Sequence, residues 1–215
     1  MNITSEQLRQ RLMTSKSLAG QTFSDNELAL FVRYYEQVLK WNARLLLTTI
    51  TEPVDFAERH LLEAAILRQH VSVSAKEVWD LGTGLGIPGV VIAVLCPFLK
   101  VKLVEANRKK CYFLEEIAFQ LSLANVSVVN QRIEALPAPD ATVCLTGRAI
   151  DGMESLLPRI LKLGNQAAQT LILGTIATEA LLRLHLGDDR TLVRNALPAR
   201  DASCLLAISG AKPSA

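Results

Sequence analysis

The sequence predicts an α/β fold: a seven-stranded, mostly parallel sheet covered by helices, with an N-terminal helical extension. Three observations predict it. No strand pattern precedes Val78, whereas helical spacing of apolar residues recurs through the first seventy-odd positions. From Glu77 onward, short β-branched runs alternate with helical stretches, which implies right-handed crossovers between parallel strands. The run Val78-Trp79-Asp80-Leu81-Gly82-Thr83-Gly84-Leu85-Gly86-Ile87-Pro88-Gly89 reads as a buried strand that ends in a glycine-dense turn and enters a helix.

The elements follow in order. Thr4 with Gln7 suits the cap of a short first helix. Ser24 with Glu27 is a capping box, followed at helical spacing by Leu28, Phe31, Val32, Tyr35 and Leu39. Asp55 with Glu58 is expected to start another helix, carrying Phe56, Leu61, Leu62, Ala65 and Ile66. Strands are expected at Glu77–Leu81, Val101–Glu105, Ser127–Gln131, Thr142–Thr146, Thr170–Leu173, Thr191–Asn195 and Ser203–Ser209. Helices are expected at Pro88–Leu95, Lys109–Leu123 and Met153–Leu163. The segment Leu197-Pro198-Ala199-Arg200-Asp201 is short enough to join the last two strands as an antiparallel edge hairpin. The organisation expected is a helical cap over 1–74 packed on a sheet domain over 75–215, as one structural unit without repeats or low-complexity tract beyond Lys212–Ala215.

Bulk properties narrow the class. With 215 residues, half of them apolar, and a net charge of +2, the chain is long enough for one well-cored domain plus an extension. The longest apolar run, Ile87 to Leu99, is broken by Pro88 and Pro97 and falls short of the roughly 20 residues that span a bilayer. The start carries no basic segment followed by an apolar one, so a cytoplasmic location is expected, with no membrane partner. Cys96, Cys111, Cys144 and Cys204 show no paired spacing, so reduced thiols and no metal are expected.

The turn carries the chemistry. Gly84-x-Gly86-x-x-Gly89 satisfies the dinucleotide fingerprint, but Asp80 and Gly82 precede it, and Pro88 stiffens the turn where a pyrophosphate needs free N–H groups. A carboxylate at the strand end is ill placed for a ligand with two phosphates. It suits S-adenosylmethionine, whose methionine part carries an ammonium and a sulfonium. An NAD-dependent oxidoreductase and a turn that binds nothing are the alternatives. Seven strands with a reversed final pair is the Rossmann-like architecture of S-adenosylmethionine-dependent methyltransferases. In that frame Asp80 reaches the methionine ammonium directly or through a water, while Gly82, Thr83, Gly84 and Gly86 pass the backbone under the cofactor. Glu105, at the tip of the second strand and followed by Ala106, takes both ribose hydroxyls, since a carboxylate accepts two hydrogen bonds side by side. Ile133 and Glu134 follow the third strand, where this fold class holds the adenine.

From about Tyr35 to Ala149 the chain resembles one family, the bacterial 16S rRNA guanine-N7 methyltransferases of the glucose-inhibited division protein B type. The residues that carry the resemblance are Trp41-Asn42, Leu47-Thr48 and Arg59-His60-Leu61-Leu62-Glu63, similar to the family's R-H-I-L-D-S. They continue with Asp80 to Gly89, close to D-x-G-[ST]-G-x-G-x-P-G, then Lys109-Lys110, Phe113-Leu114, Asn125-Val126, Arg132-x-Glu134 and Gly147-Arg148-Ala149 in place of S-R-A. Three departures from the pattern matter: Leu173 stands where a lysine is usual, Leu46 replaces the asparagine of N-L-T, and Glu63-Ala64 replaces Asp-Ser.

The resemblance implies an rRNA (guanine-N7)-methyltransferase that uses S-adenosylmethionine, with 16S rRNA or a small-subunit ribosomal particle as partner and a monomeric state. The alternative is a cofactor-binding member with weakened or changed substrate activity. It implies a catalytic or cofactor-handling role for Arg148 at the end of the fourth strand, against a salt bridge that supports the pocket. His60 is the second catalytic candidate, against a hydrogen-bonded packing residue. Arg9, Arg11, Lys16, Arg33, Lys40, Arg44, Arg59, Arg68 and Arg108-Lys109-Lys110 are available for RNA phosphates or as solvated helix charges. Guanine N7 exposes a lone pair, so the reaction needs no general base and rests on in-line positioning.

Overall fold

The structure, a computed structural model, describes residues 3–14, 22–187, 190–197 and 203–209. Helix α1 covers Ile3–Thr14, with Thr4 inside it rather than at its cap. Helix α2, Asp25–Leu45, starts at the expected capping box: Ser24 Oγ accepts from the Glu27 N–H, and the Ser24 N–H donates to Glu27 Oε2 at 2.7 Å. It ends at Leu46 in the left-handed region, φ 47°.

Helix α3 spans residues 53–69 and starts earlier than Asp55, because Pro53 occupies the first turn, where its missing N–H costs nothing. It is α-helical over Pro53–Phe56 and Glu63–Gln69 and π-helical over Ala57–Leu62 between them. Such wide turns concentrate at functional sites, and this one carries Arg59 and His60.

Seven strands follow: β1 Glu77–Leu81, β2 Lys100–Glu105, β3 Val126–Asn130, β4 Val143–Arg148, β5 Gln169–Thr175, β6 Thr191–Ala196 and β7 Ser203–Ser209. The interleaved helices are α4 Gly89–Leu95, α5 Arg108–Gln120, α6 Met153–Gly164 and α7 Ile176–His185. A 3₁₀ turn at Ile133–Ala135 follows β3. The sheet order is β3-β2-β1-β4-β5-β7-β6. Only β7 is reversed, antiparallel to both neighbours and inserted between β5 and β6. The expected hairpin is therefore present, with β6 at the edge, and of the final pair only β7 is reversed. The middle of its connecting segment and the Lys212–Ala215 tail lie outside the described residues, as does Lys16.

Helix α7 has no counterpart among the expected elements. Its cap is a Thr175–Thr178 capping box, with threonine in place of the usual Glu or Gln at the third position.

Side chains alternate across the sheet. Val78, Val101, Leu103, Leu171, Leu173 and Leu205 join one apolar cluster with α1–α5. Trp79, Leu81, Val104 and Leu145 pack on the opposite face against α6. The N-terminal helices are thus continuous with the sheet core. Phe31, Tyr34, Tyr35 and Phe56 are almost fully buried there, and the Tyr34 hydroxyl donates to the Leu85 carbonyl at 2.7 Å, tying α2 to the glycine turn. All four cysteines are buried and free, and no helix of the described residues is long and apolar enough to cross a membrane.

Candidate active site

The order of strands reverses beside β1: β2 and β3 extend to one side and β4 to the other, which leaves a crevice at the carboxyl ends of β1, β2 and β4. A cavity of about 810 Å³ occupies it, walled by the glycine turn, the loops after β2, β3 and β4, the Leu46–Ile50 segment and the π-helical turn of α3.

The turn leaves β1 through Gly82 and Gly84, at φ +62° and +57°, and Gly86, at φ +103°, all left-handed conformations that favour glycine. Gly82, Thr83 and Gly84 line the cavity; Gly86 does not. A side chain on Gly86 would run into Val90 and Leu114, so this glycine serves helix packing. Open space surrounds Gly84, whose missing Cβ would meet only the Gly82 carbonyl, at 3.9 Å.

Asp80 is not where a direct contact with an ammonium requires it. It is 0% exposed and lies behind the turn, off the cavity wall. One oxygen accepts from Thr83 Oγ1 at 2.5 Å and the Gly89 N–H at 2.9 Å, and the other from Thr146 Oγ1 at 3.4 Å. Its work in the structure is to hold the glycine turn against α4. Burial pushes its carboxyl up from 3.8 to about 7, opposed by hydrogen bonds from Thr83, Gly89 and Thr146.

Glu105 lies on the cavity wall, as expected of the β2 tip. Its Oε2 accepts from the Gly84 N–H at 3.0 Å and its Oε1 from the Asn107 N–H at 2.8 Å. Each oxygen keeps a second acceptor direction, in the side-by-side arrangement that matches a vicinal diol. Asn130, opposite Glu105 in the β2–β3 ladder, donates from Nδ2 to the Glu105 and Ala106 carbonyls, both at 3.0 Å, and fixes the strand tip. Ala106, buried Ile133 and exposed Glu134 complete this end of the wall.

At the other end, Arg148 closes β4. Its Nη1 lies 2.5 Å from His60 Nδ1 and its Nη2 3.3 Å from Glu63 Oε2, with the side chain 15% exposed. Burial lowers the Arg148 pKa, and nearby Glu63 opposes the shift. His60 also meets Thr48 Oγ1 through Nε2, at 3.0 Å. Burial, then the Arg148 and Arg59 charges, hold its imidazole well below the usual histidine range and therefore neutral. Both ring nitrogens are engaged within the protein, the geometry of a positioning group rather than of a proton shuttle.

Arg59 and Lys110, candidates for RNA phosphates, stand on the wall together with three residues to which the sequence assigns no role, Thr48, Asn107 and Arg132. Arg59 lines the cavity, and its buried Nε has no hydrogen-bond partner among the described residues. Arg59, Thr48, Lys110 and Arg132 stand inside the motifs quoted above, so adjacency in those motifs is the signal; Asn107 stands in none of them. Of the other basic residues, Arg9 pairs with Asp25, Arg11 with Glu58, Arg33 donates to the Gln120 carbonyl, and Arg68 lies against Cys96 Sγ.

Comparison with known proteins decides the family. Residues 27–185 match the family model described as rRNA small subunit methyltransferase G. The chain belongs to that family. Among relatives of rRNA small subunit methyltransferase G, the chain is 35% identical over 157 residues to the Xylella fastidiosa (strain 9a5c) protein, covering 67% of this chain and 73% of that one. With the Stutzerimonas stutzeri (strain A1501) protein it shares 30% identity over 86% of each chain. Both carry the name ribosomal RNA small subunit methyltransferase G. Solved structures share the fold at low identity. An rRNA methylase from Streptococcus thermophilus matches with TM-score 0.53 and 14% identity over 70% of this chain and 95% of that one. A ribosomal protein L11 methylase from Lactobacillus delbrueckii subsp. bulgaricus matches with TM-score 0.58 and 15% identity over 72% and 80%.

Proposed function

We propose that this methyltransferase-family chain moves a methyl group from S-adenosylmethionine to N7 of a guanine in 16S rRNA, presented as RNA or within a small-subunit particle. The observation that carries this reading is one cavity with a diol-ready carboxylate, Glu105, at one end and Arg148 on its His60–Glu63 support at the other.

The residues present fit the cofactor. Glu105 would take the ribose hydroxyls, with Gly82, Thr83 and Gly84 forming the floor and Ala106, Ile133 and Glu134 beside the adenine. Asp80 supports this site from behind by setting the turn. Arg59 offers a guanidinium for a carboxylate or an RNA phosphate, where charge-assisted bonds are strong. When bound, S-adenosylmethionine supplies an electrophilic methyl whose bond pair returns to sulfur as the N7 lone pair forms the new N–C bond. The protein's part is orientation and exclusion of water. Arg148 and neutral His60 act on one another and on the wall, so neither is needed as a base.

The reading is tested by mapping N7-methylguanine in 16S rRNA from cells with and without the gene. A site that loses its methyl without the gene and regains it on complementation is expected; an unchanged map overturns the assignment. Ligand choice is tested by melting. S-Adenosylhomocysteine at 100 times its Kd should add about 2.7 kcal/mol of stability, and NAD nothing.

A further inference from the structure

The hydrogen bonds around Thr48 fix the direction of one proton. Asn42 grips the Thr48 backbone from both sides, its Nδ2 donating to the Thr48 carbonyl and its Oδ1 accepting from the Thr48 N–H, each at 2.9 Å. The Ile50 N–H donates to Thr48 Oγ1 at 3.0 Å. Arg148 has only donors, so His60 Nδ1, 2.5 Å from Nη1, must accept and carries no proton. The neutral imidazole then holds its proton on Nε2, which donates to Thr48 Oγ1 at 3.0 Å.

Thr48 Oγ1 therefore accepts twice, filling both lone pairs, and its own hydrogen points to the remaining tetrahedral direction. No acceptor for it exists within the protein among the described residues, and Thr48 lines the cavity. The arrangement is a hydroxyl that can only donate.

We propose that the Thr48 hydroxyl donates a hydrogen bond to O6 of the acceptor guanine, which makes Thr48 a specificity-determining residue. This rests on the guanine-N7 reading above. The Hoogsteen edge of guanine presents N7 and O6, both acceptors, whereas adenine presents an N6 amine donor beside its N7. A hydroxyl with both acceptor positions filled cannot turn to receive that amine, so adenine meets donor against donor. The chain from Arg148 through His60 to Thr48 links the end of β4 to the group that reads the base.

The test uses 16S rRNA carrying either guanine or 2-aminopurine at the acceptor position; 2-aminopurine keeps N7 and has hydrogen in place of O6. Single-turnover methylation and equilibrium binding to the S-adenosylhomocysteine-loaded protein are both measured. The wild type should favour guanine by roughly 3- to 10-fold, the range of one neutral hydrogen bond. Thr48→Val and Thr48→Ala should bring the binding ratio to about one, while Thr48→Ser keeps it. A variant that merely disturbs the site slows both substrates and leaves the ratio alone. A ratio unchanged in Thr48→Val and Thr48→Ala, or equal binding by the wild type, overturns the proposal. If the wild type methylates no guanine in 16S rRNA, the functional reading has failed, and that result is distinct from a flat ratio with active enzyme.

Discussion

Replacing Asp80 with asparagine isolates the energetic role of a carboxyl that the sequence places at the ligand and the structure places behind it. Asp80 is fully buried, and its carboxyl titrates at about 7 against 3.8 in the reference state. The folded protein therefore binds this proton more tightly than the unfolded chain does. Stability from this group is fully present below about pH 3.8, falls as pH rises, and is exhausted above about 7. At 1.36 kcal/mol per pH unit, the gap amounts to about 4 kcal/mol. Asparagine has the same shape: its Oδ1 can accept from Thr83 and the Gly89 N–H, and its Nδ2 can donate to Thr146 Oγ1. It cannot ionise. Asp80→Asn should thus match the wild type near pH 4 and exceed it at pH 8 by up to about 4 kcal/mol. For a chain of this length that is about 8–16 °C in Tm. Thermal melts of both proteins across pH 4–8 check this, because every other titrating group cancels in the difference. A difference that does not grow with pH refutes the burial argument.

The glycines of the turn should separate by role. Gly89→Ala drives a methyl into Leu103 and to 2.8 Å from Asp80 Oδ2; it should cost about 1–3 kcal/mol or more by overpacking, read as a lowered urea midpoint. Gly84→Ala meets open space and only φ +57° strain, so it should cost about 1–2 kcal/mol and chiefly weaken S-adenosylhomocysteine binding, read by calorimetry. Leu46 sits at φ 47° and is 87% exposed, so Leu46→Gly should stabilise by about 1 kcal/mol with an unchanged denaturant slope. Glu105→Gln leaves one of the Gly84 and Asn107 N–H groups without its acceptor, at about 1–2 kcal/mol. It should also weaken S-adenosylhomocysteine binding, which titration calorimetry would show.

The fold was legible wherever local chemistry sets it. The Ser24–Glu27 box, the β-branched runs and the alternation of strands with helices are short-range signals, and each produced its element. Helix α7 was missed because its cap pairs two threonines and Leu182 alone among its side chains is buried, so no apolar stripe announces it. The π-helical turn could not be read from Ala57–Leu62, whose residue types suit an α-helix equally well. At the site, residue identity was legible but depth was not. Glu105 and Asp80 are both carboxylates at strand ends. Yet Glu105 faces the cavity and Asp80 does not: the register puts both on one face of the sheet, and it is the Gly89 N–H and Thr83 hydroxyl that hold Asp80 beneath the turn. Thr48 was hidden for another reason: its role comes from Asn42, Ile50 and His60, three partners on different segments.

The three departures from the family pattern act on different layers of the site. Leu173 is 3% exposed, sits in the core cluster with Leu171 and Leu205, and is Arg148's register partner on β5. A leucine there is satisfied packing. Glu63 still supplies a carboxylate to Arg148, and Ala64 is fully buried beside it. Leu46 alone alters the rim of the cavity, where it replaces a polar side chain with an apolar one. Meanwhile Arg59, Lys110, Arg132 and Arg148 supply four cations to a wall that also carries Glu105, Glu134 and Asp151. The Arg148–His60–Thr48 chain includes none of the altered positions. Physical continuity of that chain, more than the count of motif matches, is the reason to expect that the departures retune how RNA approaches rather than abolish methyl transfer.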